Sequence, residues 1–218
     1  MIGGIGVMNT LRLIADKYGL DLYRKSPIEI PNVGRDDLAA LFAELGFTSG
    51  AEIGVEQGLY SETLCKVNPG LRLYSIDAWK AYKGYRDHVT QGKLDGFYQV
   101  TQERLSSYRV SLIRKFSVEA LQDFNDGTLD FVYIDANHEL PFVMFDIIEW
   151  SKKVRKDGIV AGHDYYKSTR FDTKNHVTYA VNAYVQSYRI HPWFLAGSKE
   201  KRLGETRDDS RSWMLVKQ

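Results

Sequence analysis

The sequence lacks several features that would each decide a function class. It has a single cysteine, Cys65, so no internal disulfide and no multi-cysteine zinc or iron–sulfur site can form, and a reducing compartment is expected. Charge of one sign is also missing. The 29 Lys and Arg against 28 Asp and Glu leave a net +1, and no long run of like charge appears, which argues against nucleic acid or an acidic membrane as the main partner. No apolar run approaches the roughly 18 residues of a membrane span. The apolar residues 1–8 lack the basic n-region and long h-region of a signal peptide and read as disordered or loosely packed. There is no Asn-x-Ser/Thr acceptor, internal repeat, low-complexity tract or linker rich in Pro, Gly or Ser. These absences leave a cytoplasmic protein acting on a small molecule as the expectation, with a homodimer as one option.

What is present suffices for a core. With 44% hydrophobic and 13% aromatic residues, a chain of this length buries about 70% of its unfolded surface without disulfides. Residues 1–35 read as an N-terminal extension to one domain, 36–218. The domain opens on a helix capped by Asp36 or Asp37, with Leu38, Leu41, Phe42 and Leu45 on its apolar face and Gly46 as its stop. Short apolar runs then alternate with amphipathic stretches, which marks βα units and a mainly parallel sheet. Strands are predicted at 51–55, 71–76, 110–113, 129–134 and 158–162. Two more, at 193–196 and 212–216, form a terminal antiparallel hairpin across a charged connection, for seven in all. One helix starts near Pro141, runs through Phe142, Phe145, Ile148 and Trp150, and ends over 152–156. Another carries Val177, Ala180, Val181, Tyr184, Val185 and Tyr188 on one face.

In an open α/β sheet, ligands bind beyond the carboxyl ends of the strands. After the first strand comes Glu52-Ile53-Gly54-Val55-Glu56-Gln57-Gly58, whose glycines let backbone turn and a ligand approach. After the second comes Asp77, close to the ~20 residues that separate a glycine turn from a ribose-binding carboxylate. An adenosine-containing cofactor follows. The pattern is Gly-x-x-x-Gly and not the pyrophosphate-binding Gly-x-Gly-x-x-Gly, and Glu52 adds negative charge, so a cationic donor such as S-adenosylmethionine suits it better than NAD.

Four ordered segments carry a family resemblance: Glu52-Ile53-Gly54 to Ser61; Ile76-Asp77-Ala78-Trp79; Phe131-Val132-Tyr133-Ile134-Asp135-Ala136-Asn137-His138; and Asp157-Gly158-Ile159-Val160-Ala161-Gly162-His163-Asp164-Tyr165. Over residues 36–190 the chain resembles the class I S-adenosylmethionine-dependent methyltransferases, in the small bacterial group related to catechol O-methyltransferase-like enzymes. The resemblance implies a Rossmann-like, mainly parallel seven-stranded sheet with helices on both faces. It implies that Glu52, Gly54, Gly58 and Ser61 line the methionine half of the donor, that Asp77 holds the ribose hydroxyls, and that Trp79 and Ser117 border the adenine, with Asp135 also at the cofactor. Asp135 and Asp164 resemble the aspartates that hold Mg²⁺ in the cation-dependent members. Tyr165 departs from the pattern, standing where those enzymes carry an Asn ligand, with His163 as a substitute ligand. His138 takes the place of a catalytic lysine.

The residues themselves keep alternatives open. Asp135 also reads as a loop cap, Asp164 as a helix cap, and His138 and His163 as structural histidines. Cys65 reads as a small buried residue. Residues 80–98, with Tyr82, Tyr85, Arg86, His88, Phe97 and Tyr98, form either a lid over the substrate or a surface excursion with a short helix. At the level of function, the methyltransferase reading stands against a nicotinamide-dependent oxidoreductase and a non-catalytic adenosine-ligand-binding module. Retention of Asp135, His138 and Asp164 favours catalysis, by in-line transfer of the sulfonium methyl to an oxygen of a sugar or polyhydroxylated ring.

Overall fold

The computed structural model describes residues 9–82, 89–166, 175–201 and 203–218. The chain runs α1 (Thr10–Tyr18), β1 (Ile28–Ile30), α2 (Arg35–Glu44), β2 (Ser49–Ile53), α3 (Leu59–Val67), β3 (Arg72–Asp77), α4 (Gln91–Leu105), β4 (Val110–Arg114), α5 (Ser117–Ala120), β5 (Leu129–Ile134), α6 (Leu140–Lys153), β6 (Val154–Gly162), α7 (Val177–Ser187), β7 (Trp193–Ala196) and β8 (Trp213–Val216). The strands form one sheet in the order β1-β7-β8-β6-β5-β2-β3-β4. Only β8 runs antiparallel to its neighbours, between β6 and β7.

The sheet therefore has eight strands where seven were predicted. The eighth, β1, lies in the N-terminal 35 residues and pairs in parallel with β7, Ile28 opposite Phe194 and Ile30 opposite Ala196. Three residues, Ile28-Glu29-Ile30 between two prolines, are too few for a period-2 pattern to register. The first helix of the predicted domain also starts differently. Gly34 is its N-cap, and Asp37 accepts a hydrogen bond from the Gly34 amide at 2.8 Å. The acidic pair thus sits in the first turn, where the helix dipole favours negative charge.

Side chains alternate across the sheet as strand geometry requires. Ala51, Ile53, Val132 and Ile134 face α6 and α7, whereas Leu73, Phe131 and Tyr133 face α1, α2 and α3. Gly50 illustrates how closely the second layer packs. A Cβ there would lie 2.2 Å from the Phe131 ring, which stacks on Phe42 at 4.4 Å. On α6 the buried face is Val143, Asp146, Ile147, Trp150 and Ser151. Phe142 and Phe145, through which the helix was expected to run, lie off that face and stand 47% and 38% exposed. No helix among the described residues is long and apolar enough to cross a membrane.

Candidate active site

The carboxyl ends of β2, β3, β5 and β6 open onto a cavity of about 790 Å³, toward the upper end of small-molecule and cofactor sites. Glu52, Gly54, Asp77, Trp79, Ser117, Asp135, His138 and Asp164 all stand on its wall. Two other expected residues lie behind it. Gly58 is the N-cap of α3, and the buried Ser61 hydroxyl donates to Glu52 and lies 2.7 Å from the Ser75 hydroxyl.

The β2–β3 side is tightly organised by backbone amides. Asp77 Oδ2 accepts from the amides of Val55 and Glu56, each at 3.0 Å, while Oδ1 accepts from the Trp79 amide at 2.8 Å. One carboxylate so fixes the loops after both strands. Trp79 is buried, and its indole N–H donates to the Glu56 carbonyl at 2.7 Å. Gly54 has φ +91°, and a Cβ on it would sit 2.3 Å from the Asp135 carbonyl oxygen. This glycine lets the β2 loop lie directly on the β5 loop, which brings Glu52 and Asp135 to one cavity. Glu52 is 3% exposed, and burial pushes its carboxyl up to about 8, opposed by the Ser61 hydrogen bond and reinforced by Asp135 and Asp77. A cationic ligand group beside it would favour the ionised form.

On the β5–β6 side, three side chains face one another. His138 Nε2 lies 3.3 Å from Asp135 Oδ1, and Nδ1 lies 3.2 Å from Asp164 Oδ2, with side-chain exposures of 21%, 22% and 19% for His138, Asp135 and Asp164. A neutral imidazole carries one N–H, so it can donate to only one of these carboxylates. The other contact calls for a further proton or a cation. The three groups each offer a ligand atom within 4.8 Å of the others, and this mixed oxygen and nitrogen set fits a divalent cation completed by water or substrate. His163 is not part of this group. Its Nδ1 lies 3.0 Å from the Ser212 hydroxyl and 3.2 Å from the Tyr133 hydroxyl, so it is not the substitute ligand. Tyr165 cannot replace an Asn ligand either, because its hydroxyl donates to Asn182 at 3.1 Å and its ring packs on Trp193.

The wall holds Tyr82, which the sequence reading named only in the 80–98 segment, and groups to which it gave no site role: Arg35, Asn137, Phe142, Phe145 and Asp146. Burial works against the charge on Arg35, yet Tyr133, Asp208 and Asp135 together hold its guanidinium above the ordinary value. Asn137 donates to the Tyr82 hydroxyl at 2.8 Å. The exposure of two phenylalanines on α6 was the available signal for that side, since its apolar residues outnumber what one buried stripe needs. Within 80–98, Tyr85, Arg86 and His88 lie outside the described residues. Phe97 and Tyr98 belong to the 15-residue helix α4, with Tyr98 against Trp79 at 4.8 Å. Cys65 is buried, and burial pushes its thiol up to about 11, so it is no nucleophile.

Comparison with known proteins places the chain in a family and its fold among known folds. Residues 51–165 match the family model described as a methyltransferase domain. Among solved structures, the O-methyltransferase TomG from Streptomyces achromogenes, in complex with SAM, superposes with a TM-score of 0.60 at 18% identity, over 94% of this chain and 86% of that one. The O-methyltransferase from Bacillus cereus, in complex with SAH, gives 0.59 at 15%, over 97% and 90%. A tRNA (m1A58) methyltransferase, TrmI from Aquifex aeolicus, gives 0.56 at 13%, over 94% and 76%. At such identities the likeness is one of fold, and the fold serves acceptors of very different size. No curated protein matches the chain.

Proposed function

The chain belongs to the methyltransferase-domain family, and on that premise we propose that it transfers the methyl group of S-adenosylmethionine to an oxygen of a small hydroxylated molecule, a sugar or a polyhydroxylated ring. One observation carries the acceptor side of this reading: His138 stands between the Asp135 and Asp164 carboxylates on the same cavity wall as Glu52, Gly54 and Asp77. The near-neutral charge of the chain supports a small acceptor over a nucleic acid. Its one cysteine, free and buried, is in keeping with a cytoplasmic setting.

Glu52 and the Gly54 loop would hold the methionine end of the donor, and Asp77 the ribose hydroxyls through lone pairs not used by the amides. The donor supplies a methyl group made electrophilic by its sulfonium. The cavity would set the acceptor oxygen in line behind that methyl, and most of the rate gain comes from such positioning. As the oxygen–carbon bond forms and the carbon–sulfur bond breaks, its electrons pass to sulfur, and His138 takes the acceptor's hydroxyl proton. Asp135 and Asp164 orient the imidazole through the two ring contacts. These same carboxylates would hold Mg²⁺, which when bound lowers the proton affinity of the acceptor hydroxyl.

Titration calorimetry with S-adenosylmethionine, S-adenosylhomocysteine and NAD, with and without Mg²⁺, tests the donor. Methyl transfer to a panel of catechols, polyhydroxylated rings and sugars then tests the acceptor. Binding of the two sulfur compounds and O-methylated product are expected. NAD binding without S-adenosylhomocysteine binding overturns the reading, and full turnover in excess EDTA removes the cation from it.

A further inference from the structure

Arg35 has no task in the chemistry above, yet the fold holds it at the cavity through three contacts. It is the first residue of α2, is half-buried, and lines the wall together with Glu52, Tyr60 and Asp135. Its backbone is pinned on both sides: the amide donates to Asp208 Oδ2 at 2.7 Å, and the carbonyl accepts from the Tyr60 hydroxyl at 3.0 Å. The guanidinium carbon lies 5.6 Å from the centre of the Tyr60 ring, which is buried and packs on Tyr133 at 4.3 Å. A cation held over an aromatic face at this distance is attracted to it, which orients the side chain.

Among the described residues, this guanidinium makes no hydrogen bond or ion pair. The carboxylates nearby are engaged elsewhere, Asp208 with the Arg35 amide and Asp135 with His138. A half-buried cation with five N–H donors and no direct counter-ion is an open demand. Because Arg35 stands on the cavity wall, a ligand in the cavity can meet it.

The rest of the wall narrows the choice. Two coplanar oxygens match the guanidinium fork and accept two parallel hydrogen bonds. Glu52, Asp77, Asp135 and Asp164 share the cavity, so a doubly charged phosphate meets more repulsion there than a singly charged carboxylate. Such a carboxylate has two sources, the acceptor and the amino-acid end of the donor. Of the cavity carboxylates, Asp135 acts most strongly on the guanidinium, and Asp135 is the one in contact with His138. That favours the acceptor.

We propose that Arg35 selects an acidic acceptor, its guanidinium taking the carboxylate of a hydroxy acid while the hydroxyl to be methylated lies at His138. This rests on the function proposed above and narrows its acceptors to sugars or rings that carry a carboxylate.

The experiment is calorimetric binding of two matched pairs, protocatechuate against catechol and glucuronate against glucose, to the wild-type protein and to Arg35→Gln, each with and without saturating S-adenosylhomocysteine. In at least one pair the wild type is expected to favour the acid by about ten- to a hundred-fold, and Arg35→Gln to narrow that preference to within about threefold. Equal or weaker binding of the acid in both pairs, a preference that survives in Arg35→Gln, or no binding of either acid at millimolar concentration overturns the proposal. So does a loss of about tenfold or more in S-adenosylhomocysteine affinity with the acid preference unchanged, which would assign the guanidinium to the donor's carboxylate. If S-adenosylhomocysteine does not bind the wild type, the donor reading falls by itself, and the titrations without it still decide on Arg35. Should Arg35→Gln not fold, Arg35→Lys decides. One ammonium cannot form the paired bonds, so affinity for the acid should drop by about fivefold or more, and an unchanged affinity overturns the assignment.

Discussion

The two sides of the cavity are built on opposite plans. At β2–β3 the carboxylate of Asp77 is anchored by three backbone amides before any ligand arrives. At β5–β6 the carboxylates of Asp135 and Asp164 share one imidazole. The first side is fixed in place as folded, which suits the donor-holding role proposed for it. Among the described residues, the contacts of the second side pair two carboxylates with one imidazole, an arrangement that a proton, a cation or an acceptor hydroxyl favours. On the function proposed above, preorganisation falls to the donor side and chemistry to the other.

The sharpest test of that contrast is a substitution that affects rate but not binding. His138→Ala is expected to lower kcat by about 10² to 10⁴ while leaving the calorimetric affinity for S-adenosylhomocysteine within a factor of about two. Loss of donor affinity in parallel would mean that His138 belongs to the donor side.

A smaller effect is expected from Asp77→Ala, which should move stability and binding together. It leaves three loop amides without their acceptor, at about 1 to 3 kcal/mol in thermal unfolding and a comparable loss in donor affinity. Asp135→Asn, on the other side, removes one of two close negative charges and should leave the ligand-free melting temperature unchanged or raised. A Tm drop as large as that of Asp77→Ala would erase the distinction between the two sides.

The buried acids give a pH signature of a few kcal/mol at most. Glu52 in the folded, ligand-free protein holds its proton to about pH 8, against an ordinary value of 4.5. Its folded pKa is raised, so the folded state binds more protons than the unfolded one. Stability is full below about pH 4.5 and declines as pH rises through about 8. Asp146, raised to about 7, acts in the same direction. Denaturation midpoints measured from about pH 5 to about pH 8.5 should fall, and Glu52→Gln should flatten the curve. Midpoints that rise across this range would contradict a proton on these groups. Smallest of all, Cys65→Ala should leave activity within a factor of about two, as expected of a buried thiol held in its neutral form. A large loss of turnover with an unchanged Tm would show the thiol at work in the reaction.

Much of the fold was legible because the strands of a parallel sheet are continuous apolar runs with polar turns between them, and seven such runs stand out. β1 was hidden by its brevity and by pairing with a strand over 160 residues away, which no local pattern can carry. In the site, Asp135, His138 and Asp164 could be read as neighbours because each follows a strand of the same sheet. Asp146 could not. A carboxylate in the middle of an amphipathic helix looks like part of its wet face, and only the packing of α6 against the sheet and α7 turns it inward. Gly54 was read as letting a ligand approach; it lines the cavity, and the absence of its Cβ also makes room for the β5 loop, which no local pattern announces.

The insertion of β8 between β6 and β7 also bears on how the protein is made. β1 leaves the ribosome early but gains its sheet neighbour only when β7 has joined through β8, synthesised roughly 180 residues later. At about 5 to 20 residues per second this is a wait of roughly ten to forty seconds. Over its last part, between the synthesis of β6 and that of β8, the β6 edge stands open and β1 is still without its sheet neighbour. Nascent chains stalled before residue 213 should therefore be held by chaperones or cut by proteases, and protection should come once β8 has paired.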